Sequence, residues 1–196
     1  MTKYVVIQGL QFGSEAKGSI AGLVAHKWQP DTVVCANHPN AGHTFIGNGQ
    51  KFVHRCLSIG AAFPWVKNVL IGPGAVVDID ALLTELKGIA PAPGLTRRLI
   101  VHPNASIVTK DHREAEKRLL SIGSTMKGSM EAVVHKMRRE DLHNNLMKSY
   151  WPELGSTLID AGAKAGFNLV CDSLTYDAIV SASEKIMVEG AQGYSL

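Results

Sequence analysis

The sequence predicts an α/β fold in which a largely parallel central sheet carries helices on both faces. Short apolar runs rich in β-branched residues alternate along the chain with segments of helical periodicity. Nineteen glycines and eight prolines fall at the ends of these runs, as expected between strands and helices. With 196 residues, 45% of them hydrophobic and 19% charged, the chain can bury one sizeable core. We therefore expect a single domain over residues 1–196.

The first half of the chain supplies a strand, a helix and a hairpin. YVVIQG predicts a buried strand, SIAGLVAHKW a helix and DTVVCA a second strand. In HTFIGNGQKFVHRC, Asn48 and Gly49 separate two apolar runs, and both turn positions must tolerate positive φ. This pattern predicts a small β-hairpin near residues 43–55. NVLIGPG predicts another strand, and Asp78 is the predicted N-cap of a helix in DIDALLTELKG.

The second half repeats the alternation. RRLIVHP predicts a strand, TKDHREAEKRLLSIG a capped helix, and GSMEAVVHKMRREDLHNNLMKSY has apolar residues at helical intervals. We expect a break at Trp151-Pro152, followed by a helix in STLIDAGAKAG. FNLVCD then predicts a strand, LTYDAIVSASEK a helix and IMVEGAQG a last strand and turn. Strands that alternate with helices favour a parallel sheet covered on both faces.

Charge and cysteine content argue against several classes of protein. Twenty basic and seventeen acidic residues give a net charge of +3, too little for a nucleic-acid surface built from bulk charge. Cys35, Cys56 and Cys171 lie among apolar neighbours and are predicted to be reduced core residues. No segment approaches the roughly 18 apolar residues needed to cross a bilayer, and the N-terminal apolar run is shorter than that of a signal peptide. We therefore expect a cytoplasmic protein without nucleic-acid or membrane partners.

The loop QGLQFGSEAKGSI, residues 8–20, is P-loop-like but has its lysine out of order. The P-loop pattern is G-x-x-x-x-G-K-[ST], whereas Lys17 here precedes Gly18. A loop that enters a helix from a buried strand directs unpaired N–H groups and the positive end of the helix dipole at a phosphate. Gly13 and Gly18 would let the backbone approach the anion, and Lys17 would place a charge on it. An ordinary glycine-containing turn is the alternative.

A second polar segment, NHPNAGHTFIGNG, follows the second predicted strand. It places Asn40, Gly42 and His43 at the carboxyl end of the sheet, where ligands of open α/β folds bind. A single histidine is more often structural, but together the two loops favour a ligand site. The remaining histidines show no metal-ligand spacing and are predicted to be surface or satisfied core residues. They are His26, His54, His102, His112, His135 and His143.

Four motifs resemble those of the adenylosuccinate synthetase family. They are QFGSEAKGSI, NAGHT with a following NG, IGSTMKG with RR downstream, and VEGAQG, in the family's order over essentially the whole chain. Family members extend well past EGAQG, so the resemblance implies that this chain corresponds to the N-terminal part of a longer protein. It also implies a ligase that phosphorylates the purine oxygen at position six of a nucleoside monophosphate, after which the amine of L-aspartate displaces the phosphate. Such chemistry requires a cradle that holds a γ-phosphate against a second substrate.

The first motif departs from the family at two positions. The family reads G-D-E-G-K-G, with an aspartate that is both the general base and a magnesium ligand; here Ser14 replaces it and Ala16 replaces a glycine. A serine hydroxyl is a poor base at neutral pH unless a metal or neighbour activates it. A bacteriophage subgroup with serine at this position resembles the chain more closely. This resemblance implies ATP-dependent joining of aspartate to dGMP, on the route to 2-aminoadenine DNA. We infer a steric reason for the serine: a hydroxyl, being shorter than a carboxylate, leaves room for the 2-amino group of guanine.

The matched positions imply roles in phosphoryl transfer. Ser14 and the Gly42 carbonyl would ligate Mg²⁺, which prefers oxygen ligands. Lys17 would hold the transferred phosphate, and His43 would donate a hydrogen bond to the phosphoryl group or act as a general acid. For Ser14 the alternative is an N-cap, which the same hydroxyl could serve. The group that accepts the purine N1 proton stays open.

The resemblance also implies positions that bind the nucleotides. Asn40, Ser124 and Thr125 would anchor the monophosphate, with loop capping as the alternative for the last two because STMKG departs from the family's TTGRG. Gln192 would hydrogen-bond the purine. Arg139 would reach into the neighbouring subunit's site, which implies a homodimer, unless it belongs to a solvated helix face. The implied nucleotide-binding residues are Gly13, Glu15, Ala16, Gly18, Asn40, Gly42, Thr44, Ser124, Thr125, Arg139 and Gln192.

Three functions remain open from the sequence. The first is the dGMP-aspartate ligase, for which ATP rather than GTP rests on the phage resemblance. The second is an ordinary adenylosuccinate synthetase that uses IMP, aspartate and GTP. The third is a nucleotide-binding regulator without catalysis, which the missing carboxylate at Ser14 favours.

Overall fold

The computed structural model describes residues 1–10, 15–47, 49–118, 125–138 and 145–190. The strands in these ranges are β1 (Lys3–Ile7), β2 (Thr32–Cys35), β3 (His43–Gly47), β4 (Gln50–His54), β5 (Asn68–Ile71), β6 (Val76–Val77), β7 (Arg97–Val101), β8 (Ser106–Ile107), β9 (Phe167–Cys171) and β10 (Lys185–Glu189). The helices are α1 (Lys17–Trp28), α2 (Ile79–Lys87), α3 (Lys110–Glu116), α4 (Ser129–Arg138), α5 (Met147–Lys164) and α6 (Ser173–Ala182), with a 3-10 turn at Ile59–Ala62. No helix in the described ranges is long and apolar enough to cross a membrane.

Six of the described strands form an all-parallel sheet in the order β1-β10-β2-β5-β7-β9. The last of the described strands therefore lies between the first two. Ile7 is in register with Glu189, and Glu189 with Cys35, so β1, β10 and β2 end together at one edge of the sheet. The predicted parallel α/β fold is confirmed, and this strand order determines which loops meet.

Side chains alternate between two buried faces of this sheet. The first face packs against α1, α2 and α5, and its buried strand residues include Val33, Val69, Leu99 and Leu169. The second face packs against Ile179 of α6 through Leu70 and Ile100. The predicted helices on both faces are confirmed. Burial on both sides explains the continuous apolar runs of the central strands. The prediction that YVVIQG forms a buried strand is wrong for most of β1, because β1 lies at the edge of the sheet and exposes Tyr4 and Val6.

The predicted hairpin is confirmed as the antiparallel pair β3–β4. At its turn Gly49 has φ 76°, as the asparagine-glycine pattern requires, while Asn48 lies outside the described residues. The hairpin packs on α1 at a point of close approach. A Cβ atom at Gly22 would lie 2.1 Å from the Phe45 ring, so only glycine lets the helix seat against this aromatic side chain.

The predicted break at Trp151-Pro152 is wrong. α5 runs from Met147 to Lys164 with Pro152 inside it. Proline in a helix removes one backbone hydrogen bond and crowds the preceding turn. Here Pro152 is only the sixth residue of α5, and the helix buries Leu158 in the main core. Tertiary packing therefore outweighs the local rule.

Candidate functional site

Three strand-end loops meet at the carboxyl edge of the sheet. The chain leaves β1 after Ile7, β2 after Cys35 and β10 after Glu189. Gly190 donates a backbone hydrogen bond to the carbonyl of Ile7 at 3.0 Å, which ties the exit of β10 to that of β1. The two polar segments singled out in the sequence therefore begin at the same edge, on either side of β10.

The first turn of α1 lies directly against the start of β3. A Cβ atom at Gly18 would be 2.5 Å from the backbone nitrogen of Thr44 and 2.8 Å from the carbonyl carbon of His43. Only glycine fits there, because the opposing atoms are backbone and cannot move aside. Ser19 Oγ also donates to the Thr44 carbonyl at 3.2 Å. The loop before α1 and the NAGHT segment are thus in contact, with Lys17 and His43 on adjoining stretches of backbone.

Glu15 bridges the two sides of the first loop. Its Oε1 accepts a hydrogen bond from the Leu10 backbone nitrogen at 2.9 Å, and its Oε2 lies 3.5 Å from Lys17 Nζ. Because Leu10 and Glu15 flank residues 11–14, this carboxylate closes the base of the loop and holds the Lys17 ammonium beside it. Gly13 and Ser14 themselves lie outside the described residues.

Ala16 occupies the N-cap of α1 in the left-handed region, at φ 57° and ψ 28°. It supplies no side-chain hydrogen bond, so in the described structure the first turn of α1 is not capped by its own N-cap side chain. The alternative proposed for Ser14, capping of this helix by its hydroxyl, concerns a residue outside the described ranges. Backbone N–H groups in an uncapped first turn suit an anionic ligand.

His43 lies in a buried polar cluster that includes Glu189. The side chains of His43 and Glu189 are 3% and 0% exposed, and His43 Nδ1 is hydrogen-bonded to Glu189 Oε1. The other carboxylate oxygen accepts from Ser58 Oγ at 2.7 Å and from the Ile59 backbone nitrogen at 2.9 Å. His43 Nε2 is buried and has no hydrogen-bond partner among the described residues.

His54 faces His43 across the hairpin and belongs to the same cluster. Its Nδ1 donates to the Ser58 carbonyl at 3.1 Å, and burial lowers the pKa of its imidazole. A buried ring with a lowered pKa stays neutral near pH 7. The prediction that His54 is a satisfied core residue is confirmed.

A second buried carboxylate supports the segment between β4 and the 3-10 turn. Glu85 of α2 accepts hydrogen bonds from the backbone nitrogens of Arg55 at 2.6 Å and Leu57 at 2.9 Å, and also from that of Cys56. Burial raises the pKa of Glu85 to about 7, while the three N–H donors oppose that rise. Glu85 carries no local signal in the sequence, where it looks like any polar residue of an amphipathic helix.

The second half of α4 lies at the carboxyl edge, near the exits of β5 and β7. Lys136 of α4 donates from Nζ to the carbonyl oxygens of Pro73 at 2.5 Å and Asn104 at 2.6 Å, in the loops that follow those strands. At the start of α4, Glu116 accepts from the backbone nitrogens of Gly128 at 2.8 Å and Met130 at 2.7 Å. This carboxylate thus binds two backbone amides at the start of α4.

The structure leaves part of the predicted site untested. Asn40 and Gly42 are exposed at the carboxyl edge, Thr44 is partly buried, and Thr125 is exposed. Ser124, Arg139 and Gln192 lie, like Gly13 and Ser14, outside the described residues. Sequence reasoning assigned no role to Glu189, Ser58, Glu85 or Lys136. A role for Glu189 could have been predicted, because this residue belongs to the VEGAQG motif. The other three residues can be recognised only from their long-range contacts.

No group of three or more histidine, cysteine, aspartate or glutamate side chains in the described ranges could hold a metal ion. His112 Nε2 and His135 Nδ1 instead bond to each other at 2.9 Å between α3 and α4. Cys35, Cys56 and Cys171 are free thiols, with Cys35 and Cys56 buried as expected.

Comparison with known proteins gives a family model described as adenylosuccinate synthetase, which matches residues 6–154. The N6-succino-2-amino-2'-deoxyadenylate synthase of Vibrio phage phiVC8 is 37% identical over 190 residues, or 95% of this chain and 53% of the relative. The adenylosuccinate synthetase of Bacteroides thetaiotaomicron is 30% identical over 199 residues, or 97% of this chain and 45% of the relative. The chain thus spans about half the length of these relatives.

A solved structure resembles the chain over nearly its whole length. It is the cyanophage S-2L succinoaminodeoxyadenylate synthetase bound to dGMP and dATP as an energy donor. The two chains superpose with a TM-score of 0.80 at 30% identity, covering 99% of this chain and 52% of that one. The parallel sheet and its strand-end loops therefore have a counterpart in a protein that binds two purine nucleotides.

Proposed function

The chain belongs to the adenylosuccinate synthetase family, and from this premise we propose that its protein joins L-aspartate to dGMP. ATP or dATP phosphorylates the purine oxygen at position six, and the amine of aspartate then displaces that phosphate. The product is the succino-2-aminodeoxyadenylate precursor of 2-aminoadenine phage DNA. Identity is higher to the phage synthase named above than to the bacterial adenylosuccinate synthetase, which supports dGMP over IMP.

One structural observation carries the proposal. The backbone of Gly18, in the first turn of α1, contacts that of His43 and Thr44. This contact supports a shared location, at one edge of the sheet, for the Lys17 ammonium and for His43 Nε2, which lacks a hydrogen-bond partner among the described residues. A cation and a hydrogen-bond donor around one anion are what phosphoryl transfer needs, since its catalysis is mostly positioning and charge stabilisation.

Each residue of this constellation has a separate task. Lys17 binds the transferred phosphoryl group, and Glu15 keeps the ammonium in place from 3.5 Å. His43 donates from Nε2 to a phosphoryl oxygen or to the oxygen that leaves the purine. Asn40 and Gly42, exposed on the same edge, face the nucleotides. Glu15, Ala16, Gly18, Thr44 and Thr125, together with Gly13, Ser124 and Gln192, complete the proposed nucleotide-binding set.

The donor set at this edge fits Mg²⁺. Mg²⁺ is commonly held by one or two protein oxygens while substrate phosphates supply the rest, so it needs no three-ligand cluster. The carbonyl of Gly42, an exposed residue, and the Ser14 hydroxyl are the proposed protein ligands. When bound, the ion would neutralise charge on the triphosphate.

A direct assay separates the two family reactions. The complete gene product is incubated with Mg²⁺, L-aspartate and either dGMP with ATP or dATP, or IMP with GTP, and the succinyl nucleotides are measured by mass spectrometry. We expect turnover of dGMP. Robust turnover of IMP alone would instead identify an ordinary adenylosuccinate synthetase. Binding of dGMP and ATP without phosphate release would identify a regulator that lacks catalysis.

Ser14 is the proposed determinant of the acceptor purine. A carboxylate fitted against N1–H would crowd the 2-amino group of guanine, so Ser14→Asp is expected to lower kcat/KM for dGMP by at least about tenfold, as for one misplaced polar contact. The measurement compares dGMP turnover by the variant and the parent protein. An unchanged dGMP rate would refute the crowding explanation while leaving the reaction itself in place.

The protein is further proposed to act as a homodimer. Arg139 would reach the monophosphate in the neighbouring subunit, as the family motif implies. Sedimentation of the gene product with and without dGMP measures the assembly state. We expect a dimer, and Arg139→Leu should raise the KM for dGMP while leaving folding intact. A monomer with full activity would contradict this part of the proposal.

A further inference from the structure

We infer that Glu189, held by Ser58, is a positioning residue that fixes the imidazole of His43 with a proton on Nδ1 and leaves Nε2 to the ligand. The role of Nε2 in phosphoryl transfer rests on the function proposed above. The orientation and protonation of Nδ1 rest on the hydrogen-bond network alone. The two are therefore tested separately.

The direction of every hydrogen bond in this network is set by two backbone amides. The Gly60 backbone nitrogen, which can only donate, bonds to Ser58 Oγ at 3.1 Å. Ser58 Oγ is therefore an acceptor in that contact, and its single hydrogen is free to point at Glu189 Oε2, 2.7 Å away. The Ile59 backbone nitrogen donates to the same oxygen at 2.9 Å.

The contact between Glu189 and its third partner, His43, has only one possible hydrogen-bond direction. Its Oε2 is occupied by the two donors of the 58–59 segment, and its Oε1 faces His43 Nδ1. An ionised carboxylate has only acceptor sites, so the His43 nitrogen must be the donor. The proton of Nδ1 is thereby fixed, and the ring is turned so that Nε2 points away from the carboxylate.

The neighbouring histidine does not compete for this carboxylate. His54, which faces His43 in the hairpin, directs its own Nδ1 to the Ser58 carbonyl at 3.1 Å. Ser58 therefore binds both sides of the cluster, through its hydroxyl and through its carbonyl. His43 Nε2 is the buried ring nitrogen of this pair that lacks a partner among the described residues.

The position of Glu189 in the sheet relates this network to the ligand site. β10 lies between β1 and β2, and Glu189 is its last residue. The carboxylate thus stands between the loop that carries Lys17 and the loop that carries His43. Nε2 can donate to a phosphoryl oxygen only from a ring that carries a proton on each nitrogen. The carboxylate that faces Nδ1 offsets the positive charge of that ring, as outer-shell carboxylates do for histidines in other sites.

Glu189→Gln tests the network through one atom. The Ile59 amide cannot reverse its bond, so the carbonyl of the glutamine must face it and the NH₂ group must face His43. His43 Nδ1 then becomes an acceptor and loses its proton. ¹⁵N NMR of histidine-labelled protein at one fixed pH should show a protonated Nδ1 in the parent and an unprotonated Nδ1 in the variant. An unprotonated Nδ1 in the parent, or no change in the variant, would overturn the inference.

Kinetics of the complete gene product supply the second measurement. Glu189→Gln should lower kcat roughly 10- to 100-fold with little change in the KM values, the range seen for outer-shell partners of histidine. Ser58→Ala, which removes one donor to Glu189, should lower kcat less, and Ser58→Thr, which keeps the hydroxyl, should restore it. Ser181→Ala is the matched control, since Ser181 is exposed on α6 and its hydroxyl donates to the Asp177 carbonyl within that helix. Equal rates for Ser58→Ala and Ser181→Ala would overturn the positioning role of Ser58.

The outcomes distinguish the two proposals. If the parent shows the protonated Nδ1 but no ligase activity, the proposed function fails and the network stands. If the parent is active and Glu189→Gln loses neither the Nδ1 proton nor activity, the network fails and the function stands. Should Glu189→Gln fail to fold, the spectrum of the parent and the Ser58→Ala and Ser58→Thr pair still decide the matter.

Discussion

At the scale of single residues, the two most informative positions are Ala16 and Met126. Both have positive φ, 57° and 55°, and both stand where the family motifs have a glycine. A left-handed backbone costs a residue with a side chain roughly 1–2 kcal/mol. The loops therefore keep the glycine-like backbone although the glycines are gone. A sequence pattern alone could not decide this, because the substitution is equally compatible with a loop of another shape.

Replacing Ala16 by glycine should relieve this strain. Ala16→Gly is expected to raise the free energy of unfolding by roughly 0.5–1 kcal/mol, since alanine at positive φ is destabilising by more than the entropy it saves in the unfolded chain. Urea denaturation measures the change. The control is Ala163→Gly, at an exposed position inside α5, which should lower the value by about 1 kcal/mol. A loss of similar size in both variants would contradict the left-handed assignment.

Glu85 should make stability depend on pH. Its pKa is raised by burial from 4.5 to about 7, so between these values the folded protein binds a proton that the unfolded chain releases. The resulting stabilisation is full below about pH 4.5 and is lost as the pH rises through about 7. We expect a loss on the order of 1–3 kcal/mol over this window relative to Glu85→Gln, which does not titrate.

Denaturation of the parent protein and of Glu85→Gln at several pH values checks this. The difference in unfolding free energy between the two should change steadily from pH 4.5 to 7 and level off above it. A difference that stays constant with pH would mean that the three backbone donors from Arg55, Cys56 and Leu57 hold the carboxylate ionised throughout.

The roles of residues could be predicted from the sequence where the residues belong to a short motif. They could not be predicted where the role depends on contacts between segments that are distant in the chain. Lys17 and His43 stand in motifs that any reader of the sequence can find, and their backbone segments do meet. Ser58 and Glu189 are 131 residues apart, and no sequence pattern near either residue predicts the hydrogen bond between them. Glu85 and Leu57 are likewise joined only by the fold. Buried hydrogen bonds of this kind are made by topology, which a single sequence does not display.

At the scale of elements, hydrophobic periodicity and helix-capping residues predicted most of the strands and helices. The central strands are apolar on both faces because both are buried. Asp78 caps α2 by accepting from the Ala81 nitrogen at 3.3 Å, as expected. Thr109 caps α3 through a capping box with His112. The short parallel pair β6–β8 was not predicted, since two-residue strands leave no periodicity to detect. The error at Pro152 arose from a local rule applied to a helix whose burial is decided by its partners.

Pro152 should therefore be a removable source of strain. Pro152→Ala restores the amide hydrogen of α5 and is expected to raise the free energy of unfolding by about 1–2 kcal/mol, less than the roughly 3 kcal/mol of a mid-helix proline because the unfolded chain gains freedom. Thermal and urea unfolding measure the change. Pro93→Ala, in the exposed loop before β7, is the control and should be neutral or slightly destabilising. Destabilisation by Pro152→Ala would mean that the ring itself packs favourably.

At the scale of the whole molecule, strand order creates the candidate site. The sequence predicted a parallel sheet but not that the last strand inserts between the first two. This insertion places Glu189 next to the exits of β1 and β2, whose loops carry Lys17 and His43. Charged and polar groups that are far apart in the chain thus share one edge. The opposite edge, where the parallel strands begin, carries none of the proposed site residues among those that the structure describes.

This asymmetry predicts which lysine a triphosphate needs. Lys17 lies at the carboxyl edge beside Glu15, whereas Lys67 is exposed immediately before β5, at the amino edge. A ligand that binds only the folded state stabilises it by about 2.7 kcal/mol at a hundredfold excess over its Kd, which corresponds to a melting temperature higher by several degrees for a chain of this size. We expect Mg²⁺-ATP to raise the melting temperature of the parent and of Lys67→Met by the same amount.

Lys17→Met should abolish the shift, because it removes the positive charge that meets the phosphates while leaving the sheet intact. Both variants lose one positive charge, so a non-specific effect of net charge would change them equally. Differential scanning fluorimetry with and without Mg²⁺-ATP is the measurement, with Mg²⁺ alone as the reference. Equal shifts in Lys17→Met and Lys67→Met would show that the triphosphate binds away from the first loop, and the convergence of Lys17 and His43 at the carboxyl edge would then serve packing rather than catalysis.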